Sequence, residues 1–473
     1  MPVEVQLAIC TKILQNNDPT KTQPKPGVGT WQSSLENHSA FGGLAVTCKH
    51  FQAITAAPLY RRVKVSIREP ASFIRLIRHF SRFPNRAALV NELTIRSNRA
   101  GSPLSKSQKN FLFREAHRLG IRLLIGGHGG LSLQLESILI DVLLCQLCYI
   151  RNLSLCLPWT TTADEERCPM IFDEAEAENI KPFLFTYASR LPAFFVLGSL
   201  QRLEAYPMNF NKSGMAKLHT GSLTSLLRHT PALTHLVIGT CDQEALGHGI
   251  IQNLLPQLRD IHLVDALNGD LAAITNFCPR LERLRLGQDE RNHARLMEGI
   301  ATMLGFQGPM FGESRPSATP KLLKALLPMK DTLHGLDFDC DTFRAQQIGQ
   351  LAQLSHFANL RSLRLVFGQW PTGNTAALIN KLSPHLEFLY LGGTGIPVNN
   401  IAALLIRRVL DGQLLGLRRF EYILLNRRGP MGYVPVGDPL PVEDQRMSPN
   451  FQSILRGHGV DCIERPYPRT TDA

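Results

Sequence analysis

A short phrase, L-x-x-L-x-L, returns along this chain and limits what it can fold into. It reads "LERLRL" from Leu281, "LTHLVI" from Leu233, "LRSLRL" from Leu360 and "LEFLYL" from Leu386. With conservative substitutions it also begins at Val90, Ile150, Leu200, Leu258, Leu333 and Leu417. The last two apolar positions are separated by one residue, the period of a strand, so both face one side of it. The first position turns into the core just before the strand. From Leu200 onward the intervals are 33, 25, 23, 52, 27, 26 and 31 residues. No single unit of that size can bury its own leucines, whereas stacked units can.

The stretches between phrases have helical spacing. In "GDLAAITNFCP" (269–279), Asp270 stands where a cap is expected, Leu271, Ile274 and Cys278 share a face, and Pro279 stops the helix. Each unit is therefore helix, turn and short strand, an α/β pattern. "GFQGPMFGESRPSATP" (305–320) and the stretch at about 158–180 read as loops. Over about residues 89–465 the pattern resembles the leucine-rich-repeat solenoids, whose repeats run at roughly 20–29 residues. The family phrase usually continues to Asn or Cys at its ninth position; the repeat from Leu233 does so, with Cys241, whereas most of the others do not. The phrases before Leu200 are 60 and 50 residues apart, so the early array is interrupted. The resemblance implies parallel strands on a concave face and helices outside. An irregular α/β domain with a parallel sheet is the alternative.

The first 65 residues differ in kind. "MPVEVQLAICTKIL" (1–14) opens as a helix, with Pro2 and Glu4 suited to its first turn and Val5, Ile9 and Ile13 stacked on one side. "LAVTCKHFQAIT" (44–55) keeps helical spacing through Leu44, Cys48 and Phe51 until Pro58, after which "YRRVKV" alternates like a strand. Pro-x-Glu-Val (2–5), Leu-Ala-x-Thr-Cys-Lys-x-Phe (44–51) and Pro-Leu-Tyr-Arg (58–61) resemble, in that order, an F-box of the fungal type. Met1 stands where that family usually has leucine, and residues 16–38, rich in Pro, Gly, Lys and Thr, read as a flexible insertion. The resemblance implies a small helical platform over 1–65 that binds a Skp-type adaptor through Pro2, Val5, Ile9, Leu44, Cys48 and Phe51. Through the adaptor it would join a cullin-RING ubiquitin ligase, with a solenoid over 66–465 holding a protein substrate and a disordered tail at 466–473.

Charge is unevenly distributed. Of the net +12, residues 61–122 account for all, with fifteen Lys/Arg against Glu69, Glu92 and Glu115. Residues 164–178 oppose them with seven acids and one arginine. These are either two solvated faces or a docking surface for phosphate or an acidic partner. Nucleic acid is weighed as a partner for 61–122, but the phenylalanines there sit among aliphatics and no nucleic-acid motif appears. Residues 133–157 carry Glu136, Asp141 and Arg151, and 182–200 carry Arg190 and Pro192, so neither reads as a membrane span. Without a basic-then-apolar leader the expected location is cytoplasm or nucleus.

Catalytic patterns fail on inspection. "IGGHGG" (125–130) has Ser132 where a dinucleotide fingerprint needs glycine, and neither G-K-[ST] nor G-x-S-x-G occurs. Cys145-x-x-Cys148 lacks a second pair for zinc. No enzyme activity, cofactor or metal is expected.

The alternation of the phrases selects the recognition residues instead. Beside the inward leucines, the outward positions are Arg202 and Tyr206, His235, Asp260 and His262, then Arg283 and Arg285. Further along they are Asp337 and Asp339, Arg364, and Phe388 and Tyr390. They are expected to bind substrate, with Arg283, Arg285 and Arg364 able to hold a carboxylate or phosphate. The competing expectation is a solvated face whose arginines pair with Asp260, Asp337 and Asp339. A repeat scaffold without ligase role remains the functional alternative.

Overall fold

The structure, a computed structural model, describes residues 59–66, 70–96, 104–121, 131–157, 191–207, 226–239, 246, 253–264, 268–287, 326–340, 354–370, 375–424 and 446–465. The chain forms two compact units. One comprises Met1–Leu155, Arg190–Leu200 and Pro468–Ala473, the other Cys156–Ser189 and Gln201–Tyr467.

In the first unit, β1 (Arg62–Ser66), β2 (Glu92–Arg96) and β3 (Asn152–Leu157) neighbour one another in chain order. β1 and β2 run parallel, with Val63 opposite Leu93 and Val65 opposite Ile95. Helix α1 (Pro70–Arg82) opens at a proline and buries Phe73, Ile74, Ile77 and Phe80, one stripe of its surface. Pro84 begins the short α2 (Pro84–Ala87). Helix α3 (Lys106–Arg118) starts with a capping box. Its Ser105 hydroxyl accepts from the Gln108 N–H, and the Gln108 side-chain oxygen accepts from the Ser105 N–H. Helix α4 (Leu131–Gln146) packs on α1 and α3, and every residue from Ser137 to Leu144 is buried. A helix enclosed on all sides must be apolar all round, which explains its lack of a polar face. Among the described residues, the 60-residue interval between Val90 and Ile150 thus holds the two helices α3 and α4.

The second unit carries β4 (Arg202–Pro207), β5 (His235–Ile238), β6 (Asp260–Val264), β7 (Arg283–Gly287), β8 (Gly335–Cys340), β9 (Ser362–Gln369), β10 (Phe388–Thr394), β11 (Arg419–Leu424) and β12 (Asp461–Arg465). All pair in parallel and in chain order. β7 pairs directly with β8 across the 52-residue interval, so the two are neighbours in the sheet. Helices α5 (Asn268–Phe277), α6 (Thr375–Asn380), α7 (Val398–Leu410) and α8 (Pro449–Gly457) connect them among the described residues. Helix α5 begins at Asn268, so Asp270 lies inside its first turn instead of capping it.

The apolar phrase becomes rows of buried side chains across the strands. The first row, Leu203, Leu236, Ile261, Leu284, Leu336, Leu363, Leu389, Phe420 and Cys462, is joined residue to residue by strand register. All of its members are buried, as are the leading positions Leu200, Leu233, Leu258, Leu281, Leu333, Leu360, Leu386 and Leu417. Each buried leucine stabilises by about 2 kcal/mol relative to exposure.

A backbone fork repeats with the rows. The Arg259 carbonyl accepts from the N–H groups of both Glu282 and Arg283, at 2.8 and 2.9 Å. The Glu282 carbonyl accepts from His334 and Gly335, that of His334 from Arg361 and Ser362, that of Arg361 from Glu387 and Phe388, and that of Glu387 from Arg418 and Arg419. The turn before each strand also recurs. The leading residue's N–H donates three residues back, as from Leu281 to Cys278, Leu360 to Phe357 and Leu417 to Leu414. Those acceptor residues are buried too, a further core position that the leucine phrase alone does not reveal.

Candidate recognition face

Because successive residues of a strand point to opposite sides, the residues flanking each buried leucine form their own rows on the other side of the sheet. One row runs Arg202, His235, Asp260, Arg283, Gly335, Ser362, Phe388, Arg419 and Asp461. Its companion runs Glu204, Val237, His262, Arg285, Asp337, Arg364, Tyr390, Glu421 and Ile463. Neighbours within a row lie on strands about 4.8 Å apart. Of the substrate residues expected from sequence, ten fall in these two rows. Tyr206 is the next-to-last residue of β4, and Asp339 stands opposite Val366, two residues beyond Asp337.

Both ends of the face are internally compensated. Arg202 Nε meets Glu204 at 2.8 Å on the same strand. Arg364 meets Asp337 at 3.6 Å while its guanidinium lies 4.7 Å from the centre of the Tyr390 ring. Glu421 is buried, gripped by Arg419 and, through two 2.9 Å hydrogen bonds, by Arg465. Burial alone would raise the Glu421 carboxyl, but its hydrogen bonds to Arg465 and the charges of Arg419 and Arg465 hold it below the ordinary carboxylate value. Arg419 also faces the Phe388 ring at 6.0 Å. Arg419, Glu421 and Arg465 extend the face beyond the residues picked from sequence. The first two follow from the phrase at Leu417. Arg465 lies on β12, whose Val460 and Cys462 do not spell the leucine phrase.

The centre is different. Among the described residues, Asp260, Arg283 and Arg285 form no ion pair, although Asp260 and Arg283 are opposite each other in register. The expectation of paired arginines therefore holds for Arg364 with Asp337 and not for β7. Two glycines shape this region. A Cβ at Gly335 would come within 3.1 Å of the Arg283 Cγ, so the arginine stem lies across the bare glycine of the next strand. A Cβ at Gly287 would sit 3.8 Å from the His262 Nε2, so the imidazole leans over β7. Burial, then the adjacent Arg285 charge, pushes the His262 imidazole below its usual value, which leaves it neutral near pH 7. Burial raises the Asp337 carboxyl despite the opposing pull of Arg364 and Arg285. Burial, with Glu204 next, likewise raises the Tyr206 phenol, and Arg285 is among the charges that Tyr206 feels.

The six expected adaptor-binding residues, Pro2, Val5, Ile9, Leu44, Cys48 and Phe51, lie outside the described residues. So do the "IGGHGG" stretch, the acidic block at 164–178 and the 305–320 stretch. From the third F-box-like motif, Tyr60 is described. Its hydroxyl is 2.8 Å from His79 Nε2 and accepts from Arg86 at 3.2 Å, which ties the motif to α1 and α2.

The basic segment presents Arg75, Arg78 and Arg82 as exposed residues of α1, one turn after another. Arg78 and Arg114 both lie over the Phe111 ring, at 4.7 and 5.8 Å, which joins the cations of α1 to those of α3. Glu115 is buried against Arg118 and Ser81. Cys145 is half-buried, its thiol pushed up to about 12 by burial and then by Asp141, while Cys148 is exposed. No group of three or more His, Cys, Asp or Glu able to hold a metal occurs among the described residues, and no helix among them is long and apolar enough to cross a membrane.

No protein-family model matches the chain, and no curated protein matches it.

Proposed function

We propose that this chain is the substrate-recognition subunit of a Skp–cullin–F-box ubiquitin ligase, with a leucine-rich-repeat solenoid as its recognition domain. The observation that carries the recognition half is the pair of register-aligned side-chain rows on a parallel sheet assembled from repeats. Such rows offer many independent positions on one surface and suit the reading of a protein partner. The adaptor half rests on Pro-x-Glu-Val, Leu-Ala-x-Thr-Cys-Lys-x-Phe and Pro-Leu-Tyr-Arg standing in that order ahead of the repeats. No catalytic group is needed for this role. A substrate receptor works by raising the concentration of its target beside the transferring enzyme.

Affinity purification of the tagged full chain, with and without proteasome inhibition, tests the reading. A Skp-type adaptor is expected to co-purify and to be lost on deletion of residues 1–60, and a captured protein is expected to accumulate when the proteasome is inhibited. Adaptor capture that survives the deletion would refute the assignment of that module. Absence of the adaptor, with partners still captured, would leave a repeat scaffold.

A further inference from the structure

We infer that the centre of the sheet face is a seat for one carboxylate, supplied by an acidic side chain in an extended segment of a protein partner, with Arg283 and Arg285 as its donors. The inference rests on the recognition reading above and names the chemistry that the face selects.

Charge within the two rows makes the case. Glu204 is neutralised by Arg202, and the two carboxylates at the far end, Glu421 and Asp461, are matched in number by Arg419 and Arg465. What remains across β6 to β9 is Arg283, Arg285 and Arg364 against Asp260 and Asp337. His262 adds no charge near pH 7, since burial and Arg285 oppose its protonation. Three guanidinium groups and two carboxylates leave a residual single positive charge in these rows. One carboxylate cancels it. A phosphate dianion would overshoot it and would lie between two resident carboxylates.

Geometry supplies the donors. Arg364 is committed to Asp337 and Tyr390, but Arg283 and Arg285 form no ion pair among the described residues. They alternate on one strand, so their Cα atoms are about 6.6 Å apart on the same side. The stem of Arg283 is held over Gly335. Gly335 is thus a positioning residue, because a Cβ there would press on the arginine stem and push it aside by a few tenths of an ångström. A guanidinium fork meets a carboxylate through two parallel hydrogen bonds, and both arginines are exposed and so open to one.

The test is selection of peptides from a random dodecamer display library on the purified full chain. Enriched peptides are expected to carry Asp or Glu at one fixed position. Replacing that residue by Asn or Gln in a synthetic copy should weaken binding at least roughly tenfold. R283Q/R285Q should abolish the acidic preference, with folding checked by circular dichroism. Should the double variant unfold, R285K serves instead, since an ammonium cannot form the fork. Gly335→Ala should weaken the acidic peptide several-fold while both arginines remain. A phosphoserine copy binding more than tenfold tighter than the Glu copy would reassign the site to phosphate and overturn the inference. Enriched peptides without an acid, an acidic preference unchanged in the arginine variants, or no enrichment at all would also overturn it. None of these readouts requires the adaptor, so loss of the ligase reading and loss of this one are separable.

Discussion

Replacing Arg408 tests how adjacent repeats are tied together. Arg408 is on α7, is 8% exposed, and reaches back to the preceding helix. Its Nη1 donates to the carbonyl of Ile379 at 2.5 Å and to that of Leu382 at 3.3 Å, and its Nε donates to the Gln413 side chain at 3.1 Å. Ile379 is in the last turn of α6 and Leu382 lies in the turn just after it, where the last carbonyls of a helix lack partners within it. The helix dipole also favours a cation there. Burial lowers the Arg408 pKa, yet a guanidinium remains charged at any ordinary pH. Arg408→Met keeps the apolar stem and removes the donors. The Leu382 carbonyl then loses its arginine partner, at about 1–3 kcal/mol, while that of Ile379 keeps the Leu382 N–H, so the expected total is about 2 kcal/mol. Arg408→Lys should recover about half, because one ammonium can serve a carbonyl but cannot reproduce the fork. Urea unfolding of the full chain, read together with amide exchange in α6, measures both. A loss below about 0.5 kcal/mol for Arg408→Met, with α6 equally protected, would refute the idea that this side chain caps the helix.

Acidity should act through His262. Its folded pKa lies below the ordinary histidine value, so the unfolded chain binds the extra proton first. Its contribution is therefore complete above about pH 6.5 and is lost as pH falls from there through the folded value. The groups acting on it are Arg285 on β7, Asp260 on its own strand, Arg364 on β9 and Glu204 on β4. His262→Gln should flatten the fall in melting temperature over that window, and an unchanged profile would remove His262 as its source. On α1, reversing Arg75, Arg78 and Arg82 to glutamate should make the full chain elute from a heparin column at lower salt. Charges separated by more than about 8 Å are screened at physiological salt, so the difference should be largest in dilute buffer. Identical elution would show that this face is merely solvated.

Much of this architecture was legible because strand alternation is a local property. "LERLRL" specifies which of its residues point inward whatever its neighbours are, and every leucine phrase named from sequence leads into a strand. β1 was visible in the alternation of "YRRVKV". β12 was not, since "GVDCIER" places Val460 and Cys462 where leucines are expected. The early repeats looked interrupted because α3 and α4 occupy their interval, and α4 is too evenly apolar to show periodicity. On the face, the identity of the outward residues could be read, but not their pairing. Whether Arg364 meets Asp337 depends on register between positions 27 residues apart in the chain, which no local pattern encodes. The space over Gly335 is likewise invisible until β7 and β8 are placed side by side.

The recurring backbone fork has a consequence for how such a chain can change. From β5 to β11 each strand is located by two N–H groups meeting one carbonyl just ahead of its predecessor, and that junction takes no account of the length of chain between them. β6 to β7 is joined across a 23-residue interval and β7 to β8 across one of 52, by the same fork. Doubling a flexible connection costs only about 0.6 kcal/mol in closure entropy. Insertions and deletions between strands are therefore nearly neutral to the alignment of the rows, while single substitutions within the rows alter what the face can bind. The two kinds of mutation are uncoupled. A lineage could lengthen its connectors freely and retune its surface one position at a time, without having to solve the folding problem again at each step.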